Sequence, residues 1–466
     1  MLASTHSAEN RRLFAEEVDQ FLADNPDIEK FEMLFSGLCG VLRGKWLPRE
    51  GLRKLAKGGV RLPRSTSLLD IWGYDVPTIG RSIELGDPDG LCRGVPGSLQ
   101  RVPWLDTPTA QVLVTMSEED GADACIYDPR TTLSAMCERI KAMGYTPVAA
   151  TELEFYFVDP EPGEYGHPLP PMIPGLKRRL DGSQVYDMNI LARFEPVMNE
   201  ITEACRLQNI PADTTICEFG PGQFEINLSH VDDVLRAADQ SVMFKRVVRQ
   251  VAWKHGLDVT FMAKPYADHT GNGLHVHMSL LDEEGNNVFD GGKEGEANDL
   301  LRHAIGGMLA SSRQMQAILA PHRNSYRRFQ PGSYAPVTPC WGYDHRAAAI
   351  RVPESVGPAT RFEHRIAGAD ANPHLVLAAI LAGVIDGIER KVEPDPAIQE
   401  LSDVDKYEIL TANWELSVDA FEASDLARQM FGETFCAIYT EGRRAEQAVF
   451  AATITDMEYR TYLQKV

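Results

Sequence analysis

The stretch Cys217-Glu218-Phe219-Gly220-Pro221-Gly222-Gln223-Phe224-Glu225-Ile226-Asn227-Leu228 sets a Gly-Pro-Gly corner between two glutamates. Proline presets φ and glycine frees it, so the flanking segments reverse sharply and bring Glu218 and Glu225 near each other. Carboxylates that close need a cation between them or a shared proton. Alone, the motif also reads as a surface hairpin with two solvated glutamates. Three further stretches bear on the choice.

In Thr151-Glu152-Leu153-Glu154-Phe155-Tyr156-Phe157 the two glutamates sit two apart in an apolar run, so a strand points both to one face. Gly271-Asn272-Gly273-Leu274-His275-Val276-His277-Met278-Ser279 does the same for two histidines, after glycines that allow backbone to approach a ligand. In Arg361-Phe362-Glu363-His364-Arg365 a glutamate shares its face with two arginines. Each pair singly is also the pattern of a strand's wet side. Together they supply five glutamates and one or two histidines, a set rich in hard oxygen donors that suits two Mg²⁺ or Mn²⁺ ions better than zinc.

A fourth group is basic: Asn324-Ser325-Tyr326-Arg327-Arg328, then Arg346 and Arg351. Guanidinium forks beside divalent cations are what phosphoryl transfer requires, where catalysis is positioning plus neutralisation of phosphate oxygens. No Walker loop or kinase glycine-rich set is present, so a nucleotide needs another architecture.

Composition sets bounds. The 466 residues are 44% apolar, enough for a large core, and 46 basic against 67 acidic residues give a net charge of −21, which disfavours nucleic acid and anionic membrane as partners. The longest apolar run, residues 375–385, is too short for a membrane span, and the start of the chain shows no leader pattern; a cytoplasmic location is expected. Eight cysteines without a Cys-x-x-Cys pair point to reduced packing residues.

Along the chain, apolar spacing predicts an N-terminal helix within residues 1–25 and a small mixed β domain over 26–124. A larger domain of alternating helices and strands is expected over 125–466. Helices are expected at 191–207, with Phe194, Met198, Ile201 and Cys205 in phase, and at 231–255, opened by Ser229. The Pro- and Gly-rich residues 160–182 read as a loop at the rim of a site.

These motifs, in this order, resemble the glutamine synthetase family. The resemblance runs to about residue 387 and implies an α+β fold: an N-terminal β-grasp domain and a large α/β catalytic domain with a curved antiparallel sheet. It further implies a ring-shaped homo-oligomer (a dodecamer), ATP, two or three Mg²⁺ or Mn²⁺ ions, and attack of the glutamate γ-carboxylate on ATP to give γ-glutamyl phosphate, from which an amine displaces phosphate. Carried onto this chain, Glu154, Glu218 and Glu225 would hold one metal, and Glu152, His275 and Glu363 a second. His277 and Ser279 would lie on the nucleotide side, Gly271 and Arg328 would hold glutamate, and Arg346, Arg351 and Arg365 would face phosphates or the substrate carboxylate.

The chain departs from ammonia-using members at two places. Their glutamate just before Ala-Pro, the base that deprotonates ammonium, is Tyr334 here, and a phenol, ordinarily of pKa about 10, is a poor substitute. Their Asp-Gly-Ser-Ser stretch has no match; the nearest segment is Leu62-Pro63-Arg64-Ser65-Thr66-Ser67. Both losses fall on the ammonium site. Tyr334 with Trp341 is expected to form an aromatic wall for an alkylamine or polyamine. In this the chain resembles the γ-glutamylpolyamine synthetase branch, although Gly37, Cys39 and Gly40 stand where that branch often has Asp and Asn-Gly. An ammonium-using glutamine synthetase and a catalytically silent ring-forming or regulatory relative are the alternatives.

Overall fold

Alternation builds the strand that organises the molecule. Over Thr146–Val158, the side chains of Thr151, Leu153, Phe155 and Phe157 are buried while Glu152 and Glu154 on the opposite face stay partly open. The computed structural model describes residues 8–118, 124–293, 296–330, 333–354 and 356–466.

The first sheet contains β1 (Lys30–Ser36), β2 (Leu42–Pro48), β3 (Arg61–Pro63), β4 (Asp89–Gly94), β5 (Gln100–Arg101) and β6 (Thr109–Ser117). Its order is β2-β1-β6-β4-β3 with β5 beside β6, and only β1 and β6 run parallel. The expected N-terminal helix is Ala8–Asp24. A further helix, Arg49–Ala56, follows β2 within the mixed β domain.

The second sheet contains β7 (Thr146–Val158), β8 (Ala212–Cys217), β9 (Gln223–Leu228), β10 (Asp258–Thr260), β11 (Leu274–Leu281), β12 (Trp341–Tyr343), β13 (Ile350–Glu354) and β14 (Arg361–His364). Its order is β12-β13-β14-β11-β7-β9-β8, with β10 also on β7; all pairs are antiparallel except β12 with β13. Asp128 joins the two parts: it caps the helix Pro129–Ala142 and accepts from Met116 N, in β6, at 2.9 Å.

The back of the second sheet packs on the helix Val234–Lys254, where Phe155 and Phe244 lie 6.4 Å apart and Thr151 and Ser241 share a 2.9 Å hydrogen bond. Two helix expectations change. Residues 191–207 belong to two helices, Met188–Arg193 and Glu195–Leu207, because Pro196 lacks the N–H that would continue the first ladder. The helix expected from 231 starts at Val234 with Asp233 as its cap, since Val231 instead bonds Ala149 across a β-bridge. All eight cysteines are buried and free.

Candidate active site

Register does the assembling. His275 lies opposite Glu152, Glu225 opposite Glu154, His277 opposite Glu363, and Glu363 opposite Arg351. Directly paired residues share a face, so five strands aim these side chains into one basin. Glu218 joins it from the corner between β8 and β9.

The basin's charges are polarised. His277 donates through Nε2 to Glu152 at 2.9 Å, and His275 Nδ1 lies 3.2 Å from the same carboxylate. Burial would raise Glu152, but these imidazoles outweigh it and hold the group well below the usual carboxylate range. Glu363 is also buried, and Arg365 leads the charges that hold it down; Arg351 donates to it at 3.0 Å and Arg365 also bonds it. Glu154 accepts from Gly273 N at 2.7 Å. The other two carboxyls go the opposite way. Burial and then Glu154 push Glu218 up to about 7, against the opposing effects of the Phe219 N–H and Arg346. Burial, followed by Glu152, Glu154 and Glu218, raises Glu225 well above its ordinary value.

Such crowding is what a polyvalent cation relieves. Two triples, Glu152 with His277 and Glu363, and Glu152 with Glu225 and His275, have ligand atoms within 4.8 Å of one another. The donor set therefore fits hard divalent ions. His277, expected on the nucleotide side, is within reach of a metal as well, and Glu152 belongs to both groups.

Around this floor stand the arginines. Among the described residues the buried Nε atoms of Arg351 and Arg365 have no hydrogen-bond partner, which leaves donors for an anion. Arg361 donates to His277 Nδ1 at 3.2 Å, which fixes that ring. Arg328 is buried and bonds Ile366 O at 2.7 Å. Its side chain runs past Gly271 and Gly273, where an added Cβ would lie 3.0 Å from its atoms. Ser279 continues the His275 and His277 face of β11. Arg346 is exposed and felt electrostatically by Glu218.

The aromatic wall differs from expectation. Trp341 is only 4% exposed, donates to Asp395 O at 2.7 Å and packs on Tyr343. Burial on β12 occupies it elsewhere. Tyr334 is 69% exposed, and its ring meets Phe219 with centroids 5.5 Å apart. Phe219 went unnoticed in the sequence, where its only signal is adjacency to Glu218. Gln223 was missed too: its amide donates to Gly271 O at 2.9 Å and accepts from Gly220 N at 3.1 Å, tying the corner to the glycine segment. Its signal was the spacing of two from Glu225.

The family model described as glutamine synthetase, catalytic domain, matches residues 126–462. The chain belongs to the glutamine synthetase family. It is 39% identical to gamma-glutamylputrescine synthetase PuuA of Escherichia coli (strain K12), over 98% of this chain and 97% of that one. It is 32% identical to gamma-glutamylethanolamide synthetase GlnA4 of Streptomyces coelicolor (strain ATCC BAA-471 / A3(2) / M145), over 94% of each. The solved structure of apo GmaS superposes with a TM-score of 0.82 at 29% identity, covering 95% of this chain and 98% of that one. The two sheets described above are thus the glutamine synthetase fold, with helices and strands mixed as expected. No helix among the described residues is long and apolar enough to cross a membrane.

Proposed function

We propose that this protein joins the γ-carboxylate of glutamate to an organic primary amine, such as putrescine or another alkylamine, at the expense of ATP. The observation that carries the reading is Tyr334, an exposed aromatic packed on Phe219 beside Glu218 where an ammonium-using site would present a carboxylate. Relatives named for putrescine and ethanolamine products support it.

In this reading Arg328 and Gly271 orient glutamate, while Arg346, Arg351 and Arg365 hold the phosphates, with His277 and Ser279 on the nucleotide side. The γ-carboxylate oxygen attacks the terminal phosphorus, the bridging P–O bond breaks, and ADP leaves. The amine nitrogen then attacks the acyl carbon and inorganic phosphate departs. The amine arrives protonated and gives up one proton to solvent before its nitrogen can attack, and the second proton, released as the amide forms, leaves on the departing phosphate. Two or three Mg²⁺ or Mn²⁺ ions held by Glu152, Glu154, Glu218, Glu225, His275 and Glu363 would supply charge neutralisation at the phosphates. A cytoplasmic ring of identical subunits, a dodecamer by resemblance, belongs to the same proposal. The exposed Ile454, Met457 and Leu463 are surfaces another copy would cover.

The test is phosphate release from ATP with Mg²⁺ and glutamate, comparing ammonium, methylamine, ethanolamine, isopropylamine, putrescine and spermidine at matched free-amine concentration. Stimulation by an organic amine with a γ-glutamyl amide as product is expected. A lead for ammonium would make this a glutamine synthetase, and silence with every amine a non-catalytic relative.

A further inference from the structure

Two aromatic side chains stand in the open at the edge of a basin otherwise lined by carboxylates, imidazoles and guanidiniums. Phe219 is 40% exposed and Tyr334 69%, yet they touch each other with ring centroids 5.5 Å apart and an interplanar angle of 45°. They come from distant segments: Phe219 from the corner between β8 and β9, Tyr334 from the segment after Arg323–Arg328. The corner itself is pinned. Glu218 N bonds Gln223 O at 2.9 Å, Gln184 accepts from Gly222 N at 3.1 Å, and Gln223 holds Gly220. Phe219 is therefore presented from a fixed backbone, one residue from Glu218, instead of sinking into the core.

Resting on the ligase reading above, we propose that Phe219 is a specificity-determining residue: with Tyr334 it forms the apolar mouth that takes the hydrocarbon stem of the amine, and its size sets the preferred stem length. An ammonium head is drawn to aromatic faces and to the carboxylates below, whereas the methylenes behind it gain only from apolar contact. Burying one methylene corresponds to about fourfold in binding, so a ring covering two of them discriminates by roughly tenfold or more. Ammonium, with no stem, gains no apolar contact from the ring.

The test compares kcat/KM for ammonium, methylamine, propylamine and putrescine in the wild type, Phe219→Ala, Phe219→Leu and Phe219→Trp. Phe219→Ala is expected to lower the propylamine-to-methylamine and putrescine-to-ammonium ratios by about tenfold, with Phe219→Leu between. Phe219→Trp is expected to shift the optimum to a shorter stem, a gain that general damage to the fold does not produce. A wild type that prefers organic amines, with the ranking unchanged in all three variants, overturns this proposal alone. A wild type that prefers ammonium overturns the ligase reading and this one with it, before any variant is made.

Discussion

Glu363 is buried between Arg351 and Arg365, with His275 Nδ1 3.7 Å from its carboxylate, and Glu152 faces both histidines. Neutralising either residue removes a charge from a preorganised group, for which losses of about 10²–10³ in turnover are typical. Glu152→Gln and Glu363→Gln are each expected to fall by at least that much in metal-dependent ATP turnover while keeping the wild-type circular dichroism. Near wild-type rates in either would remove it from the metal set. Glu218 and Glu225 support a second prediction. Their proton affinity is higher in the folded basin than in the unfolded chain, so protonation favours the fold at low pH; for Glu218 that contribution is lost as pH rises from the ordinary value of 4.5 through about 7, and Glu225 shifts in the same direction. A cation that displaces those protons restores it. The rise in melting temperature given by saturating Mg²⁺ should therefore be larger at pH 8 than at pH 5.5, by differential scanning fluorimetry; an equal rise at both would place the ion elsewhere. Most of this basin was legible because period-two spacing in a strand fixes which residues share a face. Phe219 was not legible, since its partner lies over a hundred positions away and only the folded chain brings Tyr334 to it.

The elements show where such reading stops. The phase of Phe194, Met198, Ile201 and Cys205 was right, and all four are buried, but the apolar stripe runs through a helix break that only Pro196 marks. Parallel pairing of β1 with β6 was likewise invisible, because register between strands so far apart is decided by contacts and not by local pattern. The close crossing of Asp299–Leu319 with Pro373–Arg390 is a third case. A Cβ on Gly307 would lie 2.1 Å from Gly383 O, and one on Gly387 2.1 Å from His303 O, so backbone meets backbone. Alanine is the better helix former by about 0.8–1 kcal/mol, whereas overpacking costs typically about 1–3 kcal/mol. With a carbonyl oxygen as the obstacle, the steric cost should win. Gly307→Ala is expected to lower stability by about 1–2 kcal/mol in urea titration. A raised midpoint would show that the helices part easily and that propensity governs.

At the scale of the molecule, one buried polar knot ties two loops beside the first sheet, at Cys39 and Ile71, to the C-terminal helix Glu433–Ala452. Arg443 donates to Glu446 at 3.0 Å and to Cys39 Sγ at 2.9 Å, and Glu446 accepts from Ile71 N at 3.1 Å. Arg443 also reaches Pro321 O at 3.4 Å, just ahead of the turn Arg323–Arg328 that delivers Arg328 to the basin. Both charged groups are buried, so burial would raise Glu446 were it not outweighed by Arg443. Removing one partner of such a pair strands the other charge and costs about 3–5 kcal/mol, whereas replacing both with apolar side chains of similar volume is often neutral. Arg443→Met alone should therefore destabilise by about 3–5 kcal/mol, and Arg443→Met with Glu446→Leu should recover most of that loss in the same urea titration. Recovery would show that the knot's contribution is chiefly the avoidance of an unpaired charge. If the double variant instead stayed as unstable as the single, the hydrogen bonds to Ile71 and Pro321 would be what holds the two ends of the chain together. Arg328 would then be expected to lose its register as well and, if it orients glutamate as proposed, to weaken the affinity for glutamate in the surviving folded protein.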